Sequence, residues 1–174
     1  MGIEKVIEKC ENFINENFGI ILIKSDEEYE IEIKKLIIAL SILFPLKEKD
    51  FYGKIMTHVA KNFSFVIQTD EFLDLDVKLL YNLLKYYPIS INKEVELFNG
   101  IVKWLKKDSN VRYKFEKLLL DLIKFQHISP QDIENHVEVE EFVMNDPDIQ
   151  EKIKTSLKCV MHCFYCLIKL HFYF

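Results

Sequence analysis

The stretch from Glu94 to Arg112, EVELFNGIVKWLKKDSNVR, constrains the fold of this chain more than any other. Its apolar residues recur at steps of three and four, which is typical of one face of an α-helix. The residues on this face are Val95, Phe98, Ile101, Val102 and Leu105. Trp104, the single tryptophan, lies beside them and is predicted to fill the middle of a helical core. Asn92 is predicted to cap the start of this helix.

Glycine and proline are scarce, with four of each in 174 residues, and this leaves few sites for tight turns. That scarcity disfavours β-sandwiches and barrels. The predicted fold is therefore all-α, a short solenoid-like array of stacked antiparallel helix pairs. The net charge of −5 argues against nucleic-acid binding. Four cysteines without an apolar signal segment predict reduced thiols in the cytosol or nucleus, and we assign the chain to the cytoplasm.

Apolar periodicity predicts a succession of helices joined by short links. A helix after Asp74 or Asp76 carries Leu79 to Leu84, and Thr69 or Asp70 is expected to cap the short turn before it. Ser129 and Pro130 form a typical helix start. The other predicted helices span residues 3–18, 30–44, 48–62, 94–107, 111–125, 130–136 and 146–158.

Two stretches of the chain are similar to each other. NFGIILIKSDEEYEIEIKKLIIAL begins at Asn17, and NFSFVIQTDEFLDLDVKLLYNLL begins at Asn62. The offset between matching residues drifts, so gaps are needed to align them. An internal duplication and a chance similarity between amphipathic helices both account for the pattern.

Several short motifs follow one another in a characteristic order. An NF pair at Asn62 and Phe63 precedes a TDEF turn containing Glu71 and Phe72, and then a leucine-rich helix. The stretch with Glu94, Phe98, Trp104 and Arg112 comes next. In this order the sequence resembles the BACK domain, the helical module between the BTB domain and the propeller of BTB–Kelch proteins.

The resemblance divides the chain into three parts. Residues 46–158 are similar to a BACK domain, and residues 159–174 form a tail rich in cysteine and aromatic residues. Residues 1–45 are interpreted as an N-terminal helical segment, either the end of a BTB domain with three-box-like helices or a partial BACK duplication. Neither most of a BTB domain nor any Kelch repeat is recognisable, so we expect a truncated family member.

The resemblance also implies a function. In BTB–Kelch proteins, BACK domains belong to substrate adaptors of cullin-RING ubiquitin ligases, so we expect a protein-interaction or scaffold module. The expected partners are a cullin or full-length BTB–Kelch relatives. By resemblance, the groove for the cullin would fall near Leu36, Ile37, Leu40, Leu46 and Phe51. The alternative for these five residues is an ordinary place in the core.

No residue pattern in the chain requires catalysis or a cofactor, so we predict no enzyme and no bound metal. His58, His127 and His136 have no serine or cysteine partner at an informative spacing.

The tail leaves an alternative open, because Cys159, Cys163 and Cys166, with His162 or His171, are ligand types that zinc prefers. The chain would then be a small helical protein with a metal-binding or membrane-associated tail. A non-functional gene fragment is the remaining alternative. Sixteen residues are too short for a membrane span, which needs about 20 apolar residues.

Overall fold

The structure of the protein is a computed structural model that describes residues 26–44 and 49–158, together with the single residues Lys5 and Asn12. Side chains are described from position 31 onward, except those of 32, 43 and 49–51. The chain divides into two compact units between Ile91 and Asn92. No β-strand occurs among the described residues, and the all-α prediction is confirmed.

The first unit contains five described helices. They are α1 (Asp26–Leu43), α2 (Lys49–Lys61), α3 (Phe63–Val66), α4 (Asp70–Leu73) and α5 (Val77–Tyr86). Helix α1 contacts α2, α3 and α4, and α2 also contacts α5. The linker after α5 is fixed to the end of α2, because the Ser90 N–H donates to the Ala60 carbonyl at 2.8 Å.

Side-chain oxygens begin two of these helices as the sequence predicts. The Thr69 hydroxyl accepts from the Phe72 N–H at 3.2 Å, and the Asp76 carboxylate accepts from the Lys78 N–H at 2.8 Å. These bonds satisfy amide groups that have no partner within a helix. Both alternatives left open by the sequence are thereby decided, in favour of Thr69 and Asp76.

The second unit is built around one long helix, α6 (Glu94–Lys107). It is followed by α7 (Ser109–Arg112), a 3₁₀ turn (Tyr113–Phe115), α8 (Glu116–Leu120) and a second 3₁₀ turn (Phe125–His127). The remainder comprises α9 (Pro130–Asp132), a π-helical turn (Ile133–Val137), α10 (Glu141–Asn145) and α11 (147–158). Helix α6 contacts α8, the first 3₁₀ turn and the π turn.

Two local predictions were wrong. Residues 111–125 do not form one helix, because the 3₁₀ turn at Tyr113–Phe115 changes the periodicity. As a consequence Val111 and Leu118 are exposed, although a continuous helix over 111–125 would place both on its apolar face. The N-cap of α6 is Lys93 and not Asn92, whose N–H instead faces the Glu96 carboxylate at 3.4 Å. Apart from Lys5 and Asn12, the predicted helix 3–18 lies outside the described residues, and so does the start of the first repeat copy, residues 17–25.

Gly53 lies inside α2, and a Cβ atom at this position would have no neighbouring heavy atom within 4 Å. Glycine in a helix interior costs about 0.5–1 kcal/mol relative to alanine. We therefore expect Gly53→Ala to raise the free energy of unfolding by about 0.5–1 kcal/mol, measured by urea denaturation with circular dichroism. Lys54→Ala is the control, since lysine and alanine differ little in helix propensity. A lowered stability of the Gly53 variant would contradict the open space at this position.

Tyr52 places its hydroxyl in the interior, where it makes no hydrogen bond to any described residue. Burial, and then the charge of Tyr87, raise the pKa of Tyr52 from 10.0 to about 12. Between these two pH values the unfolded chain loses a proton that the folded chain keeps. Stability contributed by this group is therefore lost as the pH rises from 10 to about 12.

We expect Tyr52→Phe to keep or raise the stability at neutral pH, by up to about 1 kcal/mol, because it removes an unsatisfied hydroxyl. The variant should also lose less stability than the parent when the pH is raised to alkaline values. Urea denaturation of both proteins at neutral pH and at pH 11 measures the two effects. A variant with the same alkaline loss as the parent would show that Tyr52 does not cause it.

Candidate protein-interaction surface

Helix α1 is apolar on two faces. Ile33, Leu36, Ile37 and Leu40 point into the core of the first unit and are 1–3% exposed. On the other face, Ile31, Ile38 and Ile42 are 52%, 50% and 48% exposed. Steps of seven and four residues place these three side chains on one stripe of the helix. We name Ile31, Ile38 and Ile42 the isoleucine stripe.

The residues predicted to line a partner groove occupy different places. Leu36, Ile37 and Leu40 belong to the buried face of α1, so they pack in the core and are not accessible to a partner in this conformation. Leu46 and the side chain of Phe51 lie outside the described residues. Sequence reasoning missed the isoleucine stripe, although its signal was present, since α1 carries isoleucine at helical spacing on both faces.

The signature residues of the first unit have packing roles. Phe63 and Phe72 are fully buried, and their rings meet edge to face with centroids 6.0 Å apart. The Asn62 side-chain amide donates to the His58 carbonyl at 2.9 Å and so satisfies a group at the end of α2. Glu71 is half-buried, with one carboxylate oxygen that accepts no hydrogen bond from a described residue.

The signature residues of the second unit attach α6 to its neighbours. The Arg112 guanidinium lies 4.1 Å from the Trp104 ring centroid, and its Nη1 donates to the Trp104 carbonyl at 2.9 Å. At the other end of α6, the Glu94 carboxylate accepts from the Lys124 N–H at 2.8 Å. The Phe98 ring packs 6.4 Å from the ring of Phe125. These contacts build the scaffold and leave no signature side chain as an obvious docking point.

The described residues contain no group of three His, Cys, Asp or Glu side chains placed to hold a metal ion. His127 and His136 are exposed and His58 is half-buried. Within the same part of the chain, no helix combines the length and the apolar character that crossing a bilayer demands. The cysteines and histidines of 159–174 lie outside the described residues.

Comparison with known proteins points to one family. The sequence model of BACK, described as BTB And C-terminal Kelch, matches residues 46–138. Human Kelch-like protein 41 is 26% identical over 96 residues, which is 55% of this chain and 16% of that protein. Rat Kelch-like protein 7 is 28% identical over 100 residues, covering 58% of this chain and 17% of that protein. The chain thus spans less than a fifth of the length of these relatives.

The contact between Arg112 and Trp104 should make a measurable contribution to stability. Lysine lacks the planar guanidinium that stacks on an aromatic ring and donates in the same plane. We expect Arg112→Lys to lower the free energy of unfolding by about 1 kcal/mol, from the lost cation–π contact and carbonyl bond. Urea denaturation, monitored by the fluorescence of Trp104, measures this change in the free energy of unfolding. Lys103→Gln, an exposed cation on the same helix, is the control, and an equal loss in both variants would refute a specific contact.

Proposed function

Because this chain belongs to the BACK family, BTB And C-terminal Kelch, we propose that it is a protein-interaction module and not an enzyme. The described structure supports an interaction role, because it offers an exposed apolar stripe on α1. We further propose the domain limits that the resemblance implies, with a BACK domain at 46–158 between an N-terminal segment at 1–45 and a tail at 159–174. A cytoplasmic location is part of the same proposal.

The partner that we propose is the N-terminal domain of a cullin, as the resemblance to BTB–Kelch substrate adaptors implies. The observation that carries this proposal is the isoleucine stripe on α1, just before the matched region begins at position 46. Isolated exposed apolar residues are common, whereas an aligned row of them marks an interaction site more often. Apolar side chains at helical spacing suit a partner that docks through an apolar segment.

Covering the isoleucine stripe with a partner contributes to the free energy of association. Full burial of an isoleucine side chain contributes about 1.5–3 kcal/mol, so covering a half-exposed one contributes about 1 kcal/mol. Three such side chains together account for about a hundredfold in affinity. This is enough to decide whether a weak contact becomes a specific one, but other contacts must supply the remaining free energy of association.

Calorimetry with the full chain and a cullin N-terminal domain tests this function. We expect micromolar binding, weakened at least about tenfold by Ile38→Asp, because a buried carboxylate without a partner opposes docking. Val111→Asp is the matched control, since Val111 is 51% exposed and lies in the second unit. Leu40→Asp is unsuitable, because Leu40 is 1% exposed and its substitution would unfold the first unit.

The outcomes test separately the docking position on the stripe and the choice of a cullin as the partner. Loss of binding in the Ile38 variant alone, with helicity retained, supports docking at the stripe. Equal loss in the Val111 variant contradicts that position. If the parent chain does not bind the cullin domain at high concentration, the cullin proposal fails. The same titration with a full-length BTB–Kelch relative then tests the other partner class that the resemblance implies.

A further inference from the structure

The second unit contains an open groove between the start of the first 3₁₀ turn and the segment that leads into α10. Tyr113, Val139 and Phe142 form its apolar lining, and its volume is about 420 Å³. The rings of Tyr113 and Phe142 lie 5.8 Å apart at 48°, so they form one wall. Val139 is 65% exposed and Tyr113 is 39% exposed. We name this feature the Tyr113–Phe142 groove.

One rim of the groove is held in place by an ion pair. The Lys106 ammonium at the end of α6 lies 2.8 Å from the Glu140 carboxylate, and the Glu140 side chain is only 16% exposed. Partial burial strengthens such a pair relative to one in open water. The segment that carries Val139 and Phe142 is therefore tied to the longest helix of the unit, and the groove is preformed.

The groove lies in an acidic segment. Residues 138–148, EVEEFVMNDPD, carry five carboxylates and no lysine, arginine or histidine. Glu140 pairs with Lys106 and Asp148 with Lys117, whereas no described cation pairs with the exposed Glu141.

The negative charge of this segment affects its neighbours. The pKa of Glu116 is raised, first by burial and then by the nearby charge of Asp146. Asp146 accepts hydrogen bonds from the N–H groups of Asp148 and Ile149 at 2.8 and 3.1 Å, so its carboxylate is occupied as the cap of α11. Glu141 therefore remains as the rim carboxylate that a partner can reach.

We propose that the Tyr113–Phe142 groove binds a segment of a partner protein that combines an apolar anchor with an adjacent basic residue. The anchor, a side chain of the size of leucine or phenylalanine, contacts Tyr113, Val139 and Phe142. The adjacent lysine or arginine pairs with Glu141. This site goes beyond the cullin contact, because it lies in the second unit and does not involve the isoleucine stripe.

Charge selects this occupant over other classes. The groove is lined by the carboxylates of Glu140 and Glu141 and by one cation, Lys106, so the net charge of its lining is negative and disfavours nucleic acid and anionic membrane surfaces. A basic apolar segment gains from the same carboxylates, which steer its approach and fix its register. Aromatic side chains such as Tyr113 and Phe142 are also the residue types that most often anchor protein interfaces.

The probe for this site is a capped Gly/Ser peptide with a central Lys-Phe-Lys, titrated into the isotope-labelled full chain and followed by NMR. Two matched peptides carry Glu-Phe-Glu or Lys-Gly-Lys at the centre. We expect saturable shifts around the groove with Lys-Phe-Lys, and binding at least about tenfold weaker with either matched peptide. Added salt should weaken the binding.

Variants locate the site. Val139→Lys and Glu141→Lys should each weaken Lys-Phe-Lys binding about tenfold or more, because both place a cation against the incoming lysine. Val111→Lys adds the same charge at an exposed valine outside the groove lining and should change the affinity less than about twofold. Equal binding of Glu-Phe-Glu or Lys-Gly-Lys, an equal loss in the Val111 variant, or no saturable shift would each overturn the proposal.

Discussion

The second unit depends on the burial of α6. Its buried residues include neighbours in sequence, Gly100, Ile101 and Val102, and then Trp104 and Leu105, so the middle of the helix is enclosed on most sides. A helix enclosed in this way needs its terminal carbonyl groups satisfied close by. Arg112 does this for Trp104 and covers the indole ring with the same guanidinium. The single arginine of the chain thus joins the end of α6 to the segment that follows it.

The family signature and the accessible surfaces consist of different residues. Phe63, Phe72, Phe98 and Trp104 are at most 2% exposed, so they define the scaffold and cannot select a partner directly. The isoleucine stripe and the Tyr113–Phe142 groove are made of side chains outside the signature. In this chain the outer helix faces are therefore the surfaces that a partner can reach, and a binding function depends on the side chains that they carry.

Long periodic segments were predictable from the sequence. Helices α2, α5 and α6 follow the predicted limits within a few residues, because one buried face imposes a regular spacing. The caps at Thr69, Asp76 and Ser129 were predictable for a local reason, since a short polar side chain reaches the amide groups two or three residues ahead.

The parts of the structure that could not be predicted depend on contacts between residues distant in sequence. Residues 111–125 contain enough leucine and phenylalanine for a regular helix, but tertiary packing selects a 3₁₀ turn and two short helices. For α1 the pattern indicates a helix without deciding its outer face, because isoleucine occupies both sides. The Tyr113–Phe142 groove joins positions 29 residues apart, and no local spacing rule connects them.

The two proposed surfaces differ in the interaction that would hold a partner. The isoleucine stripe offers apolar area, whose contribution depends little on ionic strength and grows with the area covered. The Tyr113–Phe142 groove combines an apolar lining with the carboxylate of Glu141, which pairs with no described cation, so charge contributes to both its selectivity and its rate of association. The two surfaces therefore favour partners of different charge. Selectivity between partners follows from the side chains that the core leaves outside, while the buried signature keeps those side chains in position.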